Sequence, residues 1–187
     1  MESIEQFLAM QTMAFERLDW PTLGQSYCDG DGSTFFDDER LDLIRQVGNE
    51  VSLALIERLN AGGRSVYVGA GVAELIPILC EAYVLERDVH AVSLNQVEVE
   101  LLNTVLSELD AAFGTSLPRL QLAALQAAEL TGAFDHAWVA SVMNDPDAFP
   151  ALHDTLYERT TDADGATGRG SLDEDKRGAE ELMRAVT

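Results

Sequence analysis

The chain of 187 residues carries 33 acidic and 12 basic side chains, a formal net charge of −21, with 47% hydrophobic and 24% charged residues. That length suits one domain, or one domain with an appendage, and can bury about 70% of the surface that the unfolded chain exposes. The acid excess repels phosphate backbones and anionic lipid surfaces, which argues against nucleic-acid binding through a basic face.

The single lysine, Lys176, and the acidic surface would suit a salt-adapted proteome. A soluble, arginine-preferring protein is the plainer reading. Cys28 and Cys80 have no metal-ligand spacing, so reduced, intracellular thiols are expected. The N-terminus begins acidic and lacks the pattern of a signal peptide. No apolar run approaches the roughly 18 residues of a membrane span. A cytoplasmic protein follows by elimination.

Ile4, Phe7, Leu8, Ala14, Phe15 and Leu18 recur at helical spacing and predict a first helix. Trp20-Pro21 is expected to end it, and residues 21–37 read as a loop. A second helix is expected from about Asp38 to Asn60, stopped by Gly62-Gly63. Ser65 to Val68 reads as a strand, followed at once by Gly69-Ala70-Gly71. Val72 to about Tyr83 suits a helix, with Pro77 near its first turn. Asp88 to Leu94 suits a strand, and Asn95 can cap the helix after it. Leu120–Leu125 and Phe134–Val142 read as two more strands. Asp145-Pro146 should open a helix reaching about Arg159. Residues 160–171 lack periodicity and read as a mobile loop. Ser171 and Glu174 then form a capping box for a last helix, to about Ala185.

This alternation predicts an α/β fold, a mainly parallel Rossmann-like sheet flanked by helices, with an N-terminal helical extension. Residues 1–37 form that extension, 38–159 the Rossmann-like domain, and 160–187 the loop and C-terminal helix. The final helix has no strand after it, so the chain reads as cut short relative to its own architecture. An uncovered sheet edge would favour a homodimer.

Glycines between an apolar strand and a helix let the backbone turn sharply and let a ligand approach the main chain. In an open parallel sheet the ligand crevice lies at the carboxyl ends of the strands. A dinucleotide fingerprint would need G-x-G-x-x-G. Here the sixth position is Glu74, which opposes a pyrophosphate.

The run from Val66 to Glu74 resembles the first motif of class I S-adenosylmethionine-dependent methyltransferases. Val92-Ser93-Leu94-Asn95 resembles that family's second-strand motif, and Phe134-Asp135 the entry to its fourth strand. The resemblance spans about Leu41 to Arg159. It implies S-adenosylmethionine as cofactor, with Gly69, Ala70 and Gly71 beside its methionine part. Ser93 and Leu94 would lie near the ribose and adenine, and Gln126 and Ala127 at the adenine edge. Ser141 would line the mouth where substrate meets the methyl group, with Asn144 and Asp145 among the substrate contacts. Asp145 is explained equally well as a helix cap.

The sequence departs from the family at four places. Tyr67 stands where an acid usually precedes the first glycine, and Ala73 replaces a third glycine. Ser93 replaces the ribose-binding acid and Gln126 the acid after the third strand. Each charge-assisted bond to a hydroxyl contributes about 1.5–3 kcal/mol, so losing the ribose acid should weaken binding by about one to three orders of magnitude.

Several residues have plainer readings. Tyr67 on a buried strand reads as core. His90 and His136 read as hydrogen-bonded strand residues, and with His153 they are too scattered for a metal site. Asp29-Gly30-Asp31 fails the EF-hand pattern, with Thr34 and Arg40 at required positions, and reads as a polar turn. Trp20, Tyr27, Phe35 and Phe36 could roof a pocket or anchor the N-terminal segment.

Two function classes stand at this point. One is an enzyme transferring a methyl group from S-adenosylmethionine to a small molecule or a protein. The other is a non-catalytic relative that keeps the fold as a binding or regulatory module. A third reading is a piece of a longer enzyme.

Overall fold

A computed structural model describes residues 2–28, 31–123, 133–139, 142, 149–156 and 171–186. Three helices come first: α1 (Glu2–Arg17), α2 (Trp20–Gln25) and α3 (Asp38–Arg58). The stretch expected to be loop from residue 21 thus begins with a short helix. Asp19 supplies the cap, its carboxylate accepting from the Thr22 amide at 3.1 Å. Pro21 falls in the first turn, where a missing N–H costs nothing.

Strand β1 (Arg64–Val68) leads through a 3₁₀ turn (Val72–Glu74) into α4 (Leu75–Leu79), which continues as one π-helical turn (Cys80–Val84). The single helix expected over this stretch is therefore three geometries. Pro77 sits within the first turn of α4, as expected. The π turn closes with the Leu85 amide donating to the Cys80 carbonyl at 3.1 Å. Strand β2 (Asp88–Ser93), α5 (Gln96–Phe113) and strands β3 (Leu120–Leu122) and β4 (His136–Val139) follow, then α6 (Pro150–Leu156) and α7 (Leu172–Val186). Asn95 caps α5, its side chain accepting from the Glu98 amide at 3.2 Å. Strand β4 begins two residues later than its sequence pattern suggests. Asp145-Pro146 and residues 160–170 lie outside the described residues. The head of α6 is capped from α7: the Asp175 carboxylate accepts from the amides of Ala151 at 2.7 Å and Leu152 at 3.1 Å.

All four strands are parallel, in the order β3-β2-β1-β4. This is a Rossmann-like α/β sheet. The chain steps outward from β1 to β3 and then returns to the other side of β1. The strand order therefore reverses between β1 and β4, at whose carboxyl ends such a sheet opens its crevice. Side chains alternate along β1. Tyr67 points into the larger core with Met10, Leu75, Ile78 and Leu102. Val66 and Val68 point the other way, onto Phe149 and Leu182 of the segments that follow β4.

The amino-terminal half of the sheet is tied together by a buried charge. Glu81, on the π turn, is fully buried. It accepts from the hydroxyls of Ser65 and Tyr67 on β1 and from Arg87 Nε at 3.1 Å. His136 Nδ1 on β4 lies 2.9 Å away. Burial alone would raise the Glu81 carboxyl, but the bonds from His136, Ser65 and Tyr67 outweigh it and hold the group below its ordinary range. Arg87 also donates to the carbonyls of Asn60 at 2.9 Å and Gly62 at 2.6 Å, and pairs with Asp135. Tyr67 and both strand histidines thus take the structural roles expected of them. His90 pairs with Asp88 at 3.1 Å.

Removing Arg87 leaves the buried Glu81 carboxylate and several carbonyls short of donors. Arg87→Ala should lose about 3–5 kcal/mol of unfolding free energy, read by urea denaturation. A loss under about 1 kcal/mol would show that the network carries little. Because the folded Glu81 is held low, its contribution is complete above its unfolded value of roughly 4.3. It fades as pH falls through the lower folded value, so the gap between wild type and a Glu81→Gln variant should narrow on acidification.

Candidate functional site

The candidate site lies at the carboxyl end of β1, where the sheet order reverses towards β4, with the end of β2 alongside. Gly69 has φ of 72°, a conformation glycine adopts without strain, and this turns the chain sharply off β1. The Ala70 amide still reaches across to the Val92 carbonyl at 2.9 Å, holding the turn against the end of β2. The next two amides both point at carboxylates of the chain itself. Gly71 N donates to Glu74 Oε2 at 3.0 Å, and Val72 N donates to Glu98 Oε1 at 2.6 Å.

Glu98 comes from the first turn of α5 and is buried. Its Oε1 also accepts from the Tyr27 hydroxyl. A Cβ on Gly71 would stand 2.6 Å from that oxygen, so glycine here makes room for a carboxyl group. Burial raises the Glu98 carboxyl despite the bonds from Tyr27 and Val72. Burial likewise raises Glu74, against the Gly71 amide and the Trp138 indole, and the neighbouring Glu98 charge adds to the rise. Trp138 Nε1, on β4, donates to Glu74 Oε1 at 3.4 Å.

The N-terminal segment forms the roof. Tyr27 stacks on Phe35 at 5.6 Å, Phe36 meets both rings edge-on, and Trp20 packs on Phe36 at 5.2 Å. Asn95 Nδ2 donates to Ser26 Oγ at 3.2 Å, a second strap from the roof to α5. Trp20 and Phe36 pack on the core and Tyr27 reaches Glu98, so these rings anchor the N-terminal segment. Leu94 and Val97 stay exposed beside it.

The structure brings Gly69, Ala70, Gly71, Ser93 and Leu94 together at this edge. Ser93 is buried, its hydroxyl 3.4 Å from the Asn95 amide. Gln126, Ala127, Ser141, Asn144 and Asp145 lie outside the described residues. Sequence reasoning missed Glu98 and the reach of Tyr27. It weighed Glu74 only as an obstacle to phosphate. A signal for Glu98 was present: it falls on the apolar stripe of Val99, Leu102 and Val105, a place where a lone acid is out of pattern.

Two amides that could receive an anion already receive carboxylates, so the turn is poorly suited to a pyrophosphate. The arrangement can receive positive charge, or hold a proton in a raised carboxyl. No group of three or more metal-ligating side chains occurs among the described residues, and no helix there is long and apolar enough to cross a membrane. Comparison of the chain with protein-family models, with curated proteins and with solved structures returned no match.

The packing of Gly71 against Glu98 predicts energetic coupling. Gly71→Ala should destabilise the protein by about 1–3 kcal/mol in the wild-type background and by much less once Glu98 is alanine. Equal costs in both backgrounds would contradict this close approach. The raised Glu98 sets the sign of a pH effect. Below its unfolded value, roughly 4.3, the folded and unfolded carboxyls are both protonated, and Glu98→Gln should match wild type. As pH rises through the folded value the buried charge costs wild type stability, so Glu98→Gln should become the more stable protein in melting experiments.

Proposed function

We propose that the chain binds S-adenosylmethionine at the Gly69–Gly71 turn and transfers its methyl group to a small molecule or a protein. One observation carries this reading most. Glu74 and Glu98 line the turn at the point where the order of a parallel sheet reverses. A crevice there with carboxylates on its amides favours a ligand presenting positive charge, and S-adenosylmethionine carries a sulfonium and an ammonium. The motif resemblance supports the same cofactor.

The residues fit such a ligand in part. The carboxyls of Glu74 and Glu98 suit the two cationic centres. Ser93 offers one hydroxyl where a carboxylate would take both ribose hydroxyls. The exposed side chains of Leu94 and Val97 suit the flat face of a base. When bound, the cofactor supplies an electrophilic methyl on sulfur. The chain's part is to hold that group in line with an acceptor and keep water out, which requires placement more than acid–base chemistry. The Tyr27 roof provides the cover, and a raised carboxyl can take up a proton from an acceptor.

The same carboxylates favour a second reading. Both amides are satisfied from within, and the ribose position holds serine. A module that keeps the fold without catalysis would look alike here, and would bind the cofactor weakly or not at all.

Calorimetric titration separates the two. S-adenosylmethionine should bind at micromolar concentration, and more tightly than S-adenosylhomocysteine, whose neutral thioether gives the carboxyls no sulfonium to pair with. Affinity should rise with pH as Glu74 and Glu98 ionise. Gly71→Arg should abolish binding. A folded chain that ignores both ligands at millimolar concentration would overturn the methyltransferase reading and favour the non-catalytic one.

A further inference from the structure

Trp138 on β4 pairs in register with Tyr67 on β1, so the two side chains leave the sheet on the same face. Their rings stack with centroids 6.1 Å apart and planes at 29°. Tyr67 is itself fixed, since it is fully buried and its hydroxyl donates to Glu81. The indole therefore rests on a side chain that the Glu81 network holds in place. An indole carries one N–H donor and no acceptor. Trp138 directs that donor to Glu74 Oε1 at 3.4 Å.

Glu74 belongs to the 3₁₀ turn that follows the glycines, and its other oxygen, Oε2, accepts from the Gly71 amide at 3.0 Å. One carboxyl group thus joins the turn after β1 to β4, across the point where the sheet order reverses. Two further titratable groups act on this position, Glu98 from α5 and Tyr67 from β1. A glutamate side chain left to itself samples several rotamers, and the like charge of Glu98 repels it. We propose that Trp138 is a positioning residue: its indole N–H holds Glu74 across the sheet reversal and so presents that carboxyl group to a cationic ligand. This rests on the reading of the Gly69–Gly71 turn as the binding site of such a ligand.

The first test needs no substitution. In wild type the indole N–H resonance of Trp138 should move with the titration of Glu74, followed by NMR, while that of Trp20, bonded to the Phe15 carbonyl, should not. Trp138→Phe keeps an aromatic ring on Tyr67 and removes the N–H. In the free variant the Glu74 carboxyl should titrate higher than in wild type, because a bond to its charged form has gone. By calorimetry the variant should bind S-adenosylmethionine about three- to tenfold more weakly near neutral pH. The loss should shrink as pH rises and Glu74 ionises in both proteins, whereas a ring that serves packing alone would change affinity by one factor at every pH. In a Glu74→Ala background, Trp138→Phe should leave affinity unchanged. An indole resonance that ignores the titration, a Glu74 midpoint that Trp138→Phe does not move, or an affinity loss that persists at every pH or without Glu74 would overturn the proposal. A wild-type chain that ignores S-adenosylmethionine would overturn the reading of the turn instead, and the indole and carboxyl titrations of the free protein would still decide whether Trp138 holds Glu74.

Discussion

The fold turns on a carboxylate with no access to water. Glu81 comes from the π turn after α4 and meets donors from β1, β4 and the residue before β2. A buried charge is tolerated only when its hydrogen-bonding capacity is met, so each of those elements is fixed relative to the others. The sheet is thus locked at its amino-terminal end. At the carboxyl end of β1 the glycine turn meets Glu74 and Glu98 instead. The π turn follows from the same requirement. One extra residue per turn places Glu81 beneath the strands, and such turns recur at sites with a specific task.

The two ends treat acid oppositely. At Glu81 the donors outnumber what burial costs, and the carboxyl is held low. At Glu74 and Glu98 burial wins, and the carboxyls are raised. A carboxyl held low is a fixed structural charge. Raised carboxyls respond to a charge brought beside them, which is a property binding sites share. The turn after β1 draws its acid from two places in the chain. Glu74 comes from the 3₁₀ turn that follows the glycines, and Glu98 from the first turn of α5.

Much of this was legible in the residues. Apolar spacing marked α1, α3 and α5, and the strand–glycine–helix pattern marked the sharp turn after β1. Asn95 announced the start of α5. What escaped depends on partners distant in sequence. Tyr27 lies 71 residues from Glu98, and no local rule pairs them. Pro21 read as a helix end because its role in a new first turn depends on the Asp19 cap. Glu81 and Glu98 did break an apolar pattern, and a lone acid in such a stripe is the trace a buried carboxyl leaves in sequence. Which of the two would be low and which raised was hidden, because that depends on how many donors the fold brings to each.

The carboxyl groups themselves give the most direct measurement. Glutamate labelled with carbon-13 at the side-chain carboxyl allows Glu74 and Glu98 to be titrated by NMR, alone and with S-adenosylmethionine. A cation-binding crevice predicts that both titrate above ordinary glutamate in the free protein. On saturation with ligand, both midpoints should fall while the Gly71 and Val72 amide resonances move with them. Ordinary midpoints in the free protein, or ligand saturation that leaves these four resonances in place, would contradict the assignment of this turn as the binding site.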